Sequence, residues 1–168
     1  KIGMQASDTA ELFFDGVRVP ADQLLGEVEG KGFGQLMGAL PYERMLIAVP
    51  AAATIEQALA VTVEYTKQRK AFGAPLFDMQ LTRQKLAEVA TTAHVVRSFV
   101  NDCTQRLLDG TLDNEAAYMA KWWCSEQQCK VTDECLQLFG GYGYMAEYPI
   151  ARMYADSRVQ RIYGGANE

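Results

Sequence analysis

The stretch that decides the fold is Leu40-Pro41-Tyr42-Glu43-Arg44-Met45-Leu46-Ile47-Ala48-Val49-Pro50-Ala51-Ala52-Ala53. No polar side chain occurs between Met45 and Ala53, so a helix here has no hydrophilic face and is expected at the centre of a helical bundle. Glu43 and Arg44 stand directly before this apolar run. A carboxylate beside a dry segment is costly unless it is paired or protonated. We therefore expect the chemistry of the protein at these two residues.

The first helix is predicted to begin near Phe33 and to end near Gln68. Pro41 and Pro50 fall inside it, and each removes a backbone hydrogen bond and favours a kink. A kink at Pro41 would leave carbonyl groups next to Glu43 free for a ligand. The alternative is a short helix that ends before Pro41, followed by a second helix that begins there.

Three more helices are predicted after the first. Asp78 is expected to cap the second helix, Asp113 the third, and Pro149 fits the first turn of a fourth that ends near Val159. The second helix has an apolar seven-residue repeat, formed by Leu86, Ala93, Val100 and Leu107, with Val89, Val96 and Cys103 three positions later. Because the connections are short, residues 31–168 are predicted to form an all-α, up-and-down four-helix bundle.

Residues 1–30 have a different pattern. Two apolar segments, residues 9–14 and 17–19, flank Asp15-Gly16, which is a strong signal for a two-residue β-hairpin turn. Two strands are not stable alone. We expect this hairpin to be the tail of a preceding β-domain, and the chain to be a piece of a longer protein.

Composition excludes several classes of function. The net charge of −5 argues against nucleic-acid binding. No uninterrupted apolar run reaches the roughly 18 residues that span a bilayer, so no membrane span is expected. Four cysteines without a CxxC pair and a single histidine argue against a metal site. The basic cluster of Lys67, Arg69 and Lys70 is either a solvated helix end or a phosphate-binding site.

Four ordered motifs remain. They are Arg69-Lys70-Ala71-Phe72-Gly73 with Gln80 after it, Gln137 to Tyr144, Glu147-Tyr148-Pro149-Ile150, and Gln160-Arg161-Ile162-Tyr163-Gly164-Gly165-Ala166-Asn167-Glu168. Together they resemble the C-terminal half of the acyl-CoA dehydrogenase family. The resemblance covers essentially the whole chain, with the hairpin resembling the end of the family's middle β-domain.

The resemblance implies an enzyme. In this family FAD lies at a subunit interface with the acyl-CoA thioester stacked against the flavin. A carboxylate removes the α-proton, the β-hydrogen leaves as hydride to the flavin, and an electron-transfer flavoprotein reoxidises the cofactor. Members are commonly dimers of dimers, in the bacterial cytoplasm or the mitochondrial matrix. The isolated chain is expected to be inactive. The alternatives are a non-catalytic bundle that serves assembly and a flavoprotein similar to the acyl-CoA oxidases.

Most family members carry the catalytic base directly after the tyrosine of the last motif, in Tyr-Glu-Gly-Thr. This chain has Gly164 at that position and Ala166 in place of the threonine. A minority resembling the long-chain and isovaleryl types carry the glutamate on the central helix, directly before its arginine. Glu43 matches that pattern and is identified as the base, with a purely structural ion pair as the alternative.

The same resemblance gives roles to further residues. Arg44, Tyr163 and Gly165 are expected to bind the acyl-CoA substrate. The expected FAD contacts are Arg69, Phe72, Gln80, Gln137, Gly141, Asn167 and Glu168, of which Arg69 and Phe72 would reach the cofactor of a neighbouring subunit. Two of these have plainer explanations, because Gly141 can simply end a helix and Gln80 can be an exposed first-turn residue.

Overall fold

A computed structural model describes residues 1–168. Its four helices are α1 (Gly32–Gln68), α2 (Gln80–Leu108), α3 (Asn114–Phe139) and α4 (Pro149–Ser157). Two short strands, β1 (Lys70–Ala71) and β2 (Ala74–Pro75), form an antiparallel pair between α1 and α2. Short 3₁₀ turns lie at Ala21–Gln23, Leu76–Asp78, Gly140–Tyr144 and Arg158–Arg161. The predicted all-α four-helix fold is confirmed.

Helix α1 is continuous through Pro41 and Pro50, so the alternative of two helices that meet at Pro41 is wrong. After Pro50, the Thr54 hydroxyl donates a hydrogen bond to the Pro50 carbonyl at 2.9 Å. One face of α1 is buried against α3 and α2 and consists largely of small residues: Ala48, Ala51, Ala52, Ile55 and Ala58. Small side chains allow close approach of the neighbouring helices.

The opposite face of α1 is exposed, which corrects the expectation that this helix is enclosed on all sides. Leu46 is 56% exposed, and Val49, Pro50 and Ala53 are also exposed. The physical reason is that α2 and α3 both pack on one side of α1, and no other element of the chain covers its far side. By length and composition α1 is apolar enough to cross a bilayer, a property that the core helix of a water-soluble bundle can share.

The apolar repeat of α2 is confirmed as the buried face of that helix, with Leu107 only partly buried at its end. Asp113 caps α3 as predicted: its Oδ1 accepts a hydrogen bond from the Ala116 backbone N–H at 2.7 Å. The prediction for Asp78 is wrong, because Met79 occupies the capping position of α2. Asp78 lies in the preceding 3₁₀ turn, where its carbonyl accepts a hydrogen bond from Arg83.

The hairpin predicted at residues 9–19 is not formed. These residues have no strand, and Phe13 and Phe14 are 85% and 78% exposed. Two strands with no further sheet or helix to cover their apolar face lack the burial that would hold them together. The division between residues 1–30 and 31–168 stays a prediction.

The pair of strands lies instead at β1 and β2, which the sequence patterns did not indicate. The two turn residues, Phe72 and Gly73, have positive φ angles of 55° and 85°. Positive φ at both central positions is typical of the tight hairpin turn that matches strand twist. A phenylalanine rarely adopts this conformation, so the usual Asn-Gly or Asp-Gly signal is absent.

Candidate active site

Glu43 and Arg44 lie in the N-terminal half of α1 and face different environments. Glu43 is exposed and forms no hydrogen bond or ion pair within the chain, so the structural ion-pair alternative has no partner here. Arg44 is half-buried, and its Cζ lies 3.5 Å from the centroid of the Tyr118 ring on α3. This is a cation–π contact, which fixes the guanidinium without a carboxylate. The Arg44 Nη1 atom is buried and has no hydrogen-bond partner.

The last motif of the chain folds back onto Arg44. A Cβ atom built on Gly165 would lie 3.5 Å from Arg44 Nη2, and one built on Gly164 would collide with Ile47 Cδ1. Both glycines have positive φ angles, of 63° and 95°. Only glycine adopts two such conformations in succession without strain. The structure thus brings Gly164 and Gly165, which follow Tyr163 in the chain, beside Ile47 and Arg44 of α1.

A buried polar network holds this turn against α3. Lys121 donates hydrogen bonds to the Gly165 carbonyl at 2.5 Å and to Asn167 Oδ1 at 2.7 Å. Asn167 in turn donates to Ser125 and to Glu126 Oε1, at 3.0 and 2.8 Å, and Glu126 also accepts from Arg161 at 2.6 Å. The terminal motif is therefore tied to a single face of α3.

Lys121 is not among the site residues predicted from the sequence. Its side chain is only 3% exposed, and it lies four residues after Ala117 and three before Cys124, on the buried stripe of α3. A lysine at a buried position of an apolar repeat is the signal that could have found it. Burial, together with the charge of Arg44, lowers the pKa of Lys121 from its ordinary value.

A second group of predicted residues surrounds a cavity of about 550 Å³ where α1 and α3 end. Arg69, Gln137 and Gly141 line it, together with the aromatic rings of Tyr65, Phe139 and Tyr142. Tyr65 stacks on Phe139 with ring centroids 4.0 Å apart, and Arg69 lies over Tyr142, 5.3 Å from the ring centroid. A Cβ atom built on Gly141 would meet nothing within 4 Å, so the backbone there opens onto free space.

The remaining candidates lie apart from both groups. Phe72 is 99% exposed at the tip of the β1–β2 hairpin, and Gln80 is exposed at the start of α2. Neither residue lines the cavity. Glu168 is exposed beyond the network that holds Asn167. The predicted FAD contacts therefore occupy three places on the surface: the cavity, the hairpin tip with the start of α2, and the terminal motif.

The four-helix bundle thus carries an unpaired carboxylate at Glu43 and a half-buried arginine, Arg44, beside a diglycine turn. Residues 30–168 match the family described as acyl-CoA dehydrogenase, C-terminal domain. The chain therefore belongs to the acyl-CoA dehydrogenase family, as the motifs predicted.

Individual proteins similar to this chain are members of the same family. The chain is 54% identical over 168 residues to the mitochondrial long-chain specific acyl-CoA dehydrogenase of Mus musculus, covering 100% of this chain and 39% of the relative. The crystal structure of an acyl-CoA dehydrogenase from Geobacillus kaustophilus superposes with a TM-score of 0.96 at 45% identity, over 99% of this chain and 44% of that one.

Butyryl-CoA dehydrogenase from Megasphaera elsdenii superposes with a TM-score of 0.95 at 41% identity, over 99% of this chain and 43% of that one. The chain thus spans about two fifths of the length of these relatives.

The network around Asn167 predicts a pH dependence. Burial raises the pKa of Glu126, but hydrogen bonds from Asn167 and Arg161 outweigh it, so that the pKa lies below its ordinary value of 4.5. A lowered pKa stabilises the fold above the unfolded-state value, and this contribution is lost as the pH falls below about 4.5. Glu126→Gln should lower the free energy of unfolding by about 1 kcal/mol at pH 7 and by less at pH 3.

Denaturant titrations at the two pH values check this difference. Glu29→Gln, which removes an exposed glutamate outside the helices, is the control and should change neither value. An equal loss of stability in Glu126→Gln at both pH values would contradict the account.

Proposed function

We propose that the protein is an FAD-dependent acyl-CoA dehydrogenase that oxidises the α,β-bond of an acyl-CoA thioester, with Glu43 as the base. The observation that carries the proposal is the place of Glu43. It is an unpaired, exposed carboxylate next in sequence to Arg44, and Arg44 lies beside the turn in which Gly164 offers no side chain that could act as the base. The similarity to a long-chain specific relative supports the same assignment.

The environment of Glu43 suits proton abstraction from carbon. An α C–H bond next to a thioester is a weak acid, so its base must be aimed and must lose its water when substrate binds. Glu43 has no partner to displace. Arg44 keeps a fixed positive charge next to it, and its buried Nη1 atom has no hydrogen-bond partner within the chain. Together with Glu43 and Arg44, Tyr163 and Gly165 form the proposed substrate pocket.

The cavity residues fit a dinucleotide cofactor. Arg69 supplies a guanidinium for a pyrophosphate, the Gln137 amide can donate and accept hydrogen bonds, and Gly141 lets a ligand approach its backbone. Phe72 and Gln80 would contact the same molecule from the hairpin and the start of α2. Asn167 and Glu168 would hold the adenine half of a second FAD. Ala166 has no hydroxyl group to contribute to this contact. When bound, FAD accepts the β-hydrogen as hydride.

The distance between the Glu43-Arg44 pair and the cavity residues supports an active site that is shared between two subunits. Arg44 contacts Tyr118 near the start of α3, whereas Tyr65 stacks on Phe139 at its end. These ends are roughly 30 Å apart at about 1.5 Å per residue. This separation supports a proposal in which Arg69 and Glu43 serve different active sites and a neighbouring subunit completes the cavity. The proposed assembly is a homo-oligomer in the form of a dimer of dimers, as the family membership implies.

The electron acceptor and the compartment are proposed from the same family membership. An electron-transfer flavoprotein is the proposed acceptor. The bacterial cytoplasm is the proposed location, with the mitochondrial matrix as the alternative, because the relatives include proteins of bacteria and of mitochondria.

The role of Glu43 can be tested without oxidation of the substrate. With an acyl-CoA analogue that cannot lose its β-hydrogen, the full-length protein in D₂O should exchange the α-hydrogens for deuterium. Glu43→Gln should slow this exchange by at least about 100-fold, because general-base groups contribute factors of that size or more. Mass spectrometry of the recovered analogue measures the rate.

The matched control is Glu64→Gln, which removes an exposed glutamate near the other end of α1 and should exchange at the wild-type rate. Exchange by Glu43→Gln at the wild-type rate would assign the base to another residue.

The cofactor assignment predicts loss of flavin. In the full-length protein, Arg69→Met should release FAD on gel filtration, because the pyrophosphate loses its charge-assisted hydrogen bonds. Absorbance of the protein fraction measures the flavin retained per subunit. Arg83→Met, which removes an exposed arginine of α2, is the control and should retain FAD. Equal retention in both variants would remove Arg69 from the cofactor site.

A further inference from the structure

The terminal turn has almost no hydrogen bonds of its own. Gly164, Gly165 and Ala166 take part in a single hydrogen bond within the chain, which the Lys121 ammonium donates to the Gly165 carbonyl. Two successive glycines with positive φ lose more conformational freedom on ordering than any other residue pair. The position of this turn must therefore be imposed from outside, by the helix that it lies on.

Lys121 is placed where it can hold this turn on α3. Its side chain is 3% exposed, and its ammonium bridges two acceptors of the same segment, the Gly165 carbonyl and Asn167 Oδ1. A buried charge is costly, and an apolar residue of similar size is often as stable or more stable at such a position. Stability alone therefore does not account for a lysine here, whereas holding the Gly165 carbonyl, which has no other hydrogen bond within the chain, does.

We infer that Lys121 is the positioning residue of the substrate pocket: it holds the Tyr163-Gly164-Gly165 turn over Arg44 and keeps the pocket formed in the absence of ligand. It acts through Gly165 and Asn167 and does not touch the reacting atoms. The reference to a substrate pocket rests on the proposed function. The attachment of the turn to α3 does not depend on it.

The test compares Lys121→Met with wild type in the full-length protein. Methionine keeps the volume and removes the charge. The amide of Asn167 is the reporter, because its N–H donates to the Arg161 carbonyl at 3.0 Å. Hydrogen exchange in the peptide that spans residues 162–168 should accelerate about tenfold or more, while exchange in α1 to α4 and the Tm stay near their wild-type values. The KM for acyl-CoA should rise about tenfold, with kcat changed less than threefold.

Two further variants complete the design. Lys121→Gln keeps a donor without the charge and should show an intermediate acceleration. Lys85→Met removes the lysine that pairs with Glu134 between α2 and α3, away from the turn, and should leave exchange at residues 162–168 unchanged. This control separates the loss of any helix-bridging lysine from the loss of Lys121.

Three results would overturn the inference. The first is exchange at residues 162–168 within twofold of wild type, and the second is faster exchange throughout the bundle with a lower Tm. The third is an unchanged KM despite a mobile turn. If wild type itself binds no FAD and oxidises no acyl-CoA, the proposed function fails, and the exchange measurement still decides whether Lys121 holds the turn.

Discussion

The close packing of α1 on α3 is the contact on which the rest of the structure depends. The buried faces of both helices consist largely of small residues, with alanines on α1 and Ala117, Ala120 and Cys124 on α3, and such side chains let the two helices approach closely. The pair is parallel, because Arg44 meets Tyr118 near the start of both helices and Tyr65 meets Phe139 at their ends. α2 packs against both helices. The two candidate sites follow from this register.

At the end of the α1–α3 pair where Arg44 contacts Tyr118, the Glu43 carboxylate stays unpaired. Arg44 is adjacent to Glu43 in sequence, yet its guanidinium is turned onto the Tyr118 ring, so the two charges do not neutralise each other in a direct ion pair. At the second end, stacked aromatic rings stiffen the wall of the cavity that Arg69, Gln137 and Gly141 share. A change in the packing of α1 on α3 would displace both sites together, which explains why so much of the buried interface consists of small residues.

The features that were predicted correctly from the sequence are those that depend on residues close together in the chain. The seven-residue repeat of α2 and the Asp113 cap depend on residues a few positions apart, and both were found. The strands at residues 9–19 were predicted from local signals but lack a surface to bury their apolar face. The exposed side of α1 was mistaken for core, because hydropathy cannot distinguish burial within a chain from burial by another surface.

Contacts between residues that are far apart in the chain could not be predicted from the sequence pattern. Nothing in the sequence places Gly165 on Arg44 or Lys121 beneath Gly165, since the residues are 44 or more positions apart. The β1–β2 turn was missed because Phe72 adopts a conformation that its side chain disfavours. The roles of Arg69, Gln137 and Gly141 came from family resemblance, and the structure gathers these three around one cavity while Phe72 and Gln80 lie outside it.

The assignment of the base to Glu43 can be tested by anaerobic reduction of the bound flavin in the full-length protein, with a panel of acyl-CoA thioesters, in wild type and in Glu43→Gln. If Glu43 is the base, a subset of thioesters bleaches the flavin of wild type within one turnover, while Glu43→Gln retains FAD that stays oxidised. Equal bleaching in both proteins would contradict the assignment of the base to Glu43.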